Sequence, residues 1–361
     1  MSSAAPSTSR GLFAELVRLQ AAGERSVLAT PLWSTGSVPL SAQSKLLFRA
    51  DGSILGTIGG GPLEARALQA APEVLAEDRA RVLEFELTQD EATESGMICG
   101  GRCAILVEPI SPDRAADVFA AAARAQENEQ PIVLITLLAG EGDTQKLALL
   151  PDDRIVGPLP NPALVQQLVA LAQQALAQER PRFVQDPVPA HFDPLLPRPA
   201  ALIFGAGHLA IPVAHLAGLA GFRVVVIDDR ADFANRDRFP GADQVLAISV
   251  EDAFRRLPIT ANTYIIAITR GHAMDEEVVA QALRTCARYI GMIGSKRKVA
   301  SVLARLRSRR PTRGRGFSDT DLSRLHAPIG LDIRAETVEE IAVSIVAELI
   351  AVRRGTARDR G

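Results

Sequence analysis

Four short stretches carry the residue types and spacings that could do chemistry. The first is Gly205-Ala206-Gly207-His208-Leu209-Ala210, entered directly from the apolar run Ala201 to Phe204 and followed by a helical pattern. Glycines at this spacing permit a tight strand-to-helix turn and let backbone amides approach a diphosphate at the helix N-terminus. Asp228 and Asp229 end the next strand, where a carboxylate can bond a ribose hydroxyl. The competing reading is a fold whose glycines serve packing alone.

The second stretch, Gly294-Ser295-Lys296-Arg297-Lys298, follows the strand-like run Tyr289 to Ile293. With Ser295 as N-cap, three cations crowd the first turn of a helix, against its dipole, and a bound anion would relieve that conflict. Arg270 and His272 lie at the end of the preceding strand, on the edge where open α/β sheets form their ligand crevice. His272 reads equally well as an ordinary loop histidine. The third stretch, Gly59-Gly60-Gly61-Pro62-Leu63-Glu64, joins a strand to a helix, with proline suited to the first helical position. Its bare backbone can meet a phosphate, although such a turn is often only a turn.

The fourth is Cys99-Gly100-Gly101-Arg102-Cys103. Two glycines after Cys99 leave its sulfur open, and Arg102 can lower the thiol pKa. Cys99 and Cys103 lack the second ligand pair of a zinc site. Cys103 reads as a small apolar residue entering a strand, and Cys286 as a core residue of an apolar helix. The run Arg305, Arg307, Arg309, Arg310, Arg313, Arg315 reads as a solvated helix end and loop.

The elements that must position these residues fall into two sets. Residues 1–179 alternate strands (Ser26 to Leu32, Lys45 to Phe48, Ile54 to Ile58, Val82 to Leu87, Ala104 to Glu108, Ile132 to Leu137) with helices (Leu12 to Ala22, from Pro62, Asp113 to Ala125, Asn161 to Ala177). This is a mixed α/β domain whose sheet order the pattern leaves open. Residues 180–199 hold six prolines and read as a semi-rigid linker. Residues 200–361 carry five short strand-like runs separated mostly by helices, the pattern of a Rossmann-like, doubly wound parallel sheet. A last helix from about Glu336 to Arg353 opens on Thr337 and Glu340, spaced as a capping box.

Composition narrows the function. The net charge of −2 gives no reason for nucleic-acid binding, and one Trp with two Tyr makes no stacking surface. No apolar run of about 18 residues suggests a membrane span. Three cysteines cannot build a disulfide framework, and the N-terminus lacks a signal-peptide pattern, which predicts a cytoplasmic protein.

Several of these strings together resemble the XdhC/CoxI family of xanthine dehydrogenase accessory proteins. In the first half they are Gly56-Thr57-Ile58-Gly59-Gly60-Gly61-Pro62-Leu63-Glu64 and Cys99-Gly100-Gly101. In the second they are Phe204 to His208, Asp228-Asp229-Arg230, Thr269 to His272 and Ile293 to Lys298. The string Ala327 to Ile333, followed by Ala335-Glu336-Thr337 and Glu339 to Ala342, is the most specific. The chain departs at Arg334, where glycine is expected, and at Val338, where proline is usual. The resemblance implies a chaperone rather than a turnover enzyme. Such a protein binds the molybdenum cofactor (molybdopterin, or its cytosine dinucleotide form), holds it during sulfuration by a cysteine desulfurase, and passes it to an apo molybdenum hydroxylase of xanthine dehydrogenase type. It implies Cys99 near the metal or on the sulfur route. The apolar stripe of the C-terminal helix is suited to an interface, so a homo-oligomer is expected. The rival reading is an NAD(P)-dependent oxidoreductase using the second half. Against it, neither Tyr264 nor Tyr289 has a lysine four positions on.

Overall fold

Among the described residues, backbone pairing builds three sheets. The computed structural model describes residues 10–36, 38, 40–41, 43–87, 101–159, 161–308 and 317–356. The chain divides into two units, Met1–Pro197 and Arg198–Gly361.

The first unit holds two five-stranded antiparallel sheets. One contains β1 (Ser26–Gly36), β2 (Lys45–Arg49), β3 (Ile54–Thr57), β4 (Arg81–Leu87) and β5 (Gly101–Ile110), in the order β3-β2-β1-β5-β4. The other contains β6 (Ile132–Ala139), β7 (Asp143–Leu149), β8 (Ile155–Val156), β9 (Arg182–Val184) and β10 (Ala190–Leu195), in the order β8-β7-β6-β10-β9. Pro31 is tolerated in the central strand β1 because the pairing with β5 shifts register beside it. Leu28 and Leu47 of the first sheet and Leu134 and Ala148 of the second share one core with helices Arg10–Ala21 and Ala116–Glu127. Helix Gly61–Glu77 covers the first sheet's other face through Leu63, Ala67, Ala71 and Val74. Helix Pro162–Ala177 does the same for the second through Leu168, Ala172 and Ala175.

The stretch expected as a proline-rich linker is not one: it supplies β9 and β10. Pro187 and Pro189 fall in the connection between them. Pro194 is accommodated because β9 pairs only with Ala190–Phe192, so beyond that point β10 has a partner on the β6 side alone.

The second unit is a six-stranded parallel sheet. Its strands are β11 (Ala200–Phe204), β12 (Arg223–Asp228), β13 (Gln244–Ala247), β14 (Thr263–Ala267), β15 (Tyr289–Met292) and β16 (Leu325–His326), in the order β13-β12-β11-β14-β15-β16. Near-continuous apolar strands such as Val224–Ile227 are buried on both faces. Helices Ala210–Leu219 and Val338–Arg353 pack on one face. Helices Val250–Arg256, His272–Ala282 and Lys296–Ser308 pack on the other. The order reverses between β11 and β14, the switch point where such sheets open a crevice. The last helix has its capping box: the Thr337 hydroxyl accepts from the Glu340 amide at 3.2 Å, and Glu340 accepts from the Thr337 amide at 3.1 Å. Ile345 and Leu349 are fully buried beneath it.

Cys286 is not a core residue. The helix ends at Ala282, and Cys286 is exposed in the following loop, its Sγ directed at the Ile259 carbonyl. Cys103 is buried in β5, as expected of a small apolar residue, and burial raises its thiol pKa.

Candidate functional site

In the second unit the residues singled out from the sequence gather at the C-terminal edge of the parallel sheet. Gly205, Gly207 and His208 follow β11, Asp228 and Asp229 end β12, Arg270 and His272 follow β14, and Ser295, Lys296 and Arg297 follow β15. Gly205 is a packing glycine. Its φ is +110°, and a Cβ there would sit 2.4 Å from the Ile268 carbonyl oxygen. A side chain would therefore force apart the loops leaving β11 and β14. Gly207 differs: its φ is outside the left-handed region and nothing lies within 4 Å of an added Cβ. Helix Ala210–Leu219 has no side-chain cap. The backbone at Gly207 is thus open to an approaching ligand, and His208 is exposed beside it.

Asp228 does something other than wait for a ribose. Its Oδ2 accepts from the Ala206 amide at 2.9 Å and from Arg230 Nη2 at 2.9 Å. Its Oδ1 accepts from the Arg230 amide at 3.1 Å and from Arg230 Nε at 2.8 Å. Burial pushes its pKa up, but the Arg230 and backbone hydrogen bonds outweigh this and hold it at about 2. Arg230 lies over the Phe233 ring at 3.7 Å, and Arg238 donates to the Ala206 carbonyl. A buried, ionised carboxylate thus braces the glycine turn from inside. Asp229 is the exposed acid, paired with Arg270 at 3.0 Å.

The cation-rich turn is built as the sequence suggests, with one difference. The Ser295 hydroxyl accepts from the Lys298 amide at 3.3 Å. Lys298, however, reaches the fully buried Asp275, which also accepts from the Thr269 amide and hydroxyl at 2.9 and 2.7 Å. Asp275 therefore ties the loop after β14 to the helix after β15. Sequence reading passed over it, since its partners stand 6 and 23 residues away. Lys296 and Arg297 are exposed and belong to no ion pair among the described residues. Arg305 and Arg307 are paired with Glu276 and Asp319; residues 309–316 of the basic run lie outside the described residues.

In the first unit, Gly59, Gly60 and Gly61 all take positive φ, 124°, 73° and 65°. The turn was expected to offer bare amides to a phosphate. Instead Glu64 Oε2 accepts from the Ile58 amide at 3.0 Å, the Gly60 amide at 3.3 Å and the Thr57 hydroxyl at 2.5 Å. Burial raises the Glu64 pKa, and these three donors more than reverse it. Open space remains around Gly60. Gly101 begins β5 opposite Gly36 and Leu87. Cys99 and Gly100 lie outside the described residues.

A network absent from the sequence reading explains the 327–333 string. Glu348 of the last helix accepts from the Tyr289 hydroxyl at 2.5 Å and the Gly330 amide at 2.7 Å, and it meets His326 Nδ1 at 3.1 Å. Gly330 has φ +94°, and a Cβ would strike Ser344 Oγ at 2.3 Å. Arg334 takes φ +57°, the conformation glycine adopts without cost.

Comparison with known proteins places these features. Residues 201–349 match the family model described as the XdhC Rossmann domain, and residues 19–86 match that of the XdhC and CoxI family. The uncharacterized protein YqeB of Escherichia coli (strain K12) is 24% identical over 343 residues; these cover 95% of this chain but 46% of that protein, so the chain spans about half its length. A protein of Bacillus subtilis (strain 168) described as a probable xanthine dehydrogenase subunit is 24% identical, with 92% and 95% of the two chains covered. A crystal structure of a xanthine dehydrogenase from Bacillus halodurans shares the fold with a TM-score of 0.78 at 24% identity, over 97% of this chain and 98% of that one. Both halves therefore carry the family's sequence pattern, and the chain belongs to the XdhC and CoxI family.

Proposed function

We propose that this protein serves the maturation of a xanthine dehydrogenase-type molybdenum hydroxylase, carrying the molybdenum cofactor as cargo rather than turning over a metabolite. The observation that carries the reading is the pairing of the two family models in one chain, beside a relative of matching length named for xanthine dehydrogenase. Cofactor binding, sulfuration by a cysteine desulfurase and transfer to an apo-hydroxylase are the finer parts of the proposal.

The donor set suits a phosphate-bearing cargo. In the second unit Gly207 offers open backbone at an uncapped helix start, with Arg270, Lys296 and Arg297 on the same sheet edge. In the first unit the Gly60 turn is open on its outer side. In this reading the glycine turns and cations hold the phosphate end, and Cys99, placed by sequence alone, supplies a thiolate near the metal or on the sulfur route. Asp228 is not free to act as an acid or base at the Gly205–Gly207 turn, because the four hydrogen bonds it accepts are already made within the protein. NAD(P) remains the second ligand to test, on the strength of the strand order and glycine spacing.

The test is anaerobic incubation with molybdenum cofactor, gel filtration, and quantification of retained molybdenum and pterin. Near-stoichiometric retention, reduced in Cys99→Ala, is expected. Absence of retention together with tight NAD(P) binding would replace the proposal with the oxidoreductase.

A further inference from the structure

The seam between the two sheets of the first unit buries far more charge than a core tolerates without cause. Lys45, Glu108, Lys146, His191 and Asp193 are each at most 8% exposed. A buried ion pair seldom repays its desolvation in stability, so a cluster of this kind calls for a reason beyond packing. Lys45 pairs with Asp193. Lys146 Nζ lies 2.7 Å from Glu108 Oε1 and donates to Thr136 at 2.9 Å, while the Thr144 hydroxyl donates to Glu108 Oε2 at 3.0 Å.

The Glu108–Lys146 end of this seam is not sealed. A cavity of about 160 Å³ reaches it, lined by Glu108, Lys146, Arg114, Thr144, Gln145 and Pro158. Arg114 is part-buried there. Its one side-chain hydrogen bond goes to the Pro109 carbonyl at 3.2 Å, and it forms no ion pair among the described residues. The two lysines are cancelled by the two acids and His191 is neutral at pH 7, so the lining carries one uncompensated positive charge, on Arg114.

We infer that this cavity is a binding site for a small oxyanion, of the size of acetate, malonate or phosphate. Arg114 makes the charge-assisted contact and the Glu108–Lys146 pair forms the polar floor. A guanidinium fork matches two oxygens of such an anion. This site is independent of the cofactor reading, since it touches neither glycine turn.

Titration of the full chain with acetate, malonate and inorganic phosphate, followed by calorimetry and by melting temperature, tests the inference. Saturable binding of at least one of them is expected, weakened about tenfold or more in Arg114→Ala, whose folding is checked by a cooperative unliganded melt. Preference for malonate over phosphate would identify a carboxylate site, and the reverse a phosphate site. Lys146→Met disturbs the floor itself and can compromise folding, which is why the rim variant decides. Equal binding by the parent and Arg114→Ala overturns the assignment, as does no saturable response to any of the three.

Discussion

Acidification should loosen the first unit through a single histidine. His191 is 1% exposed in β10, and its Nε2 has no hydrogen-bond partner among the described residues. Burial lowers its pKa from 6.5 to about 4; Asp193 pulls it back up, and Lys45 and Lys146 push it further down. The unfolded chain therefore binds a proton near pH 6.5 that the folded chain refuses until about pH 4. Where the unfolded state holds more protons, stability rises with pH. The full contribution is present above pH 6.5 and is lost as pH falls toward 4.

At 1.36 kcal/mol per pKa unit, a shift of this size removes about 2 kcal/mol between pH 7 and 5, approaching about 3 by pH 4. Carboxylates held below their ordinary values, such as Asp228 and Glu64, add losses of their own from about pH 5 downward, so the histidine's share is read between pH 6.5 and 5. The assay is the urea midpoint, read by a probe in the first unit, at half-unit steps from pH 7.5 to 4.5. His191→Gln, which does not titrate, should flatten the slope between pH 6.5 and 5 whatever its effect on stability at pH 7. Parallel slopes for parent and variant would refute the argument, since they would show that His191 gains its proton at the same pH folded and unfolded.

Other outcomes follow from the same geometry. Gly205→Ala should cost upward of about 2 kcal/mol, from its left-handed φ and the 2.4 Å approach to the Ile268 carbonyl, whereas Gly207→Ala should unfold within about 0.5 kcal/mol of the parent. If Gly207 serves ligand approach, cofactor retention falls in Gly207→Ala at nearly unchanged stability, which equilibrium unfolding and the gel-filtration assay read separately. Asp228→Asn should lower stability by about 2 kcal/mol in chemical denaturation, as the charge-assisted bonds to Arg230 and the Ala206 amide weaken. In a Cys99→Ala background, Ellman's reagent should label the exposed Cys286 quickly and the buried Cys103 only on unfolding; two fast thiols would contradict the burial of β5.

What could be read from the sequence was what nearest-neighbour physics dictates. Runs such as Val224–Ile227, the Thr337–Glu340 cap and the strand–turn–helix at Gly205 announce themselves because each is set by residues a few positions apart. The second unit, a repeat of such local signals, was legible almost throughout. The first was less so. β7 buries Lys146 next to the apolar Leu147–Leu149, with its partner Glu108 38 positions away, and β10 holds Pro194, which argues locally against a strand. Its place in the sheet is fixed by pairing with β6, more than fifty residues earlier, which no window reveals. Glu348 and Asp275 were missed for the same cause, since an acid in an amphipathic helix looks solvated until the tertiary fold brings Tyr289 or Thr269 to it.

The two glycine turns show why such a pattern identifies a seat but not its occupant. A turn that directs amides at one point favours any anion there, and a carboxylate of the protein is always at hand. Glu64 takes that place at Ile58 and Gly60, and Asp228 takes it at Ala206. A phosphate-bearing ligand must then bind on the outer side, at Gly60 and Gly207, where added side chains would meet nothing. The internal carboxylate fixes the turn in the unliganded protein and would set a repulsive limit on how deep a phosphate could enter. Affinity would then depend on the exposed cations Arg270, Lys296 and Arg297 more than on the glycines, and binding by the second unit should weaken with added salt more than with Gly207→Ala. The reverse ranking would mean that the ligand displaces Asp228 and enters the turn itself.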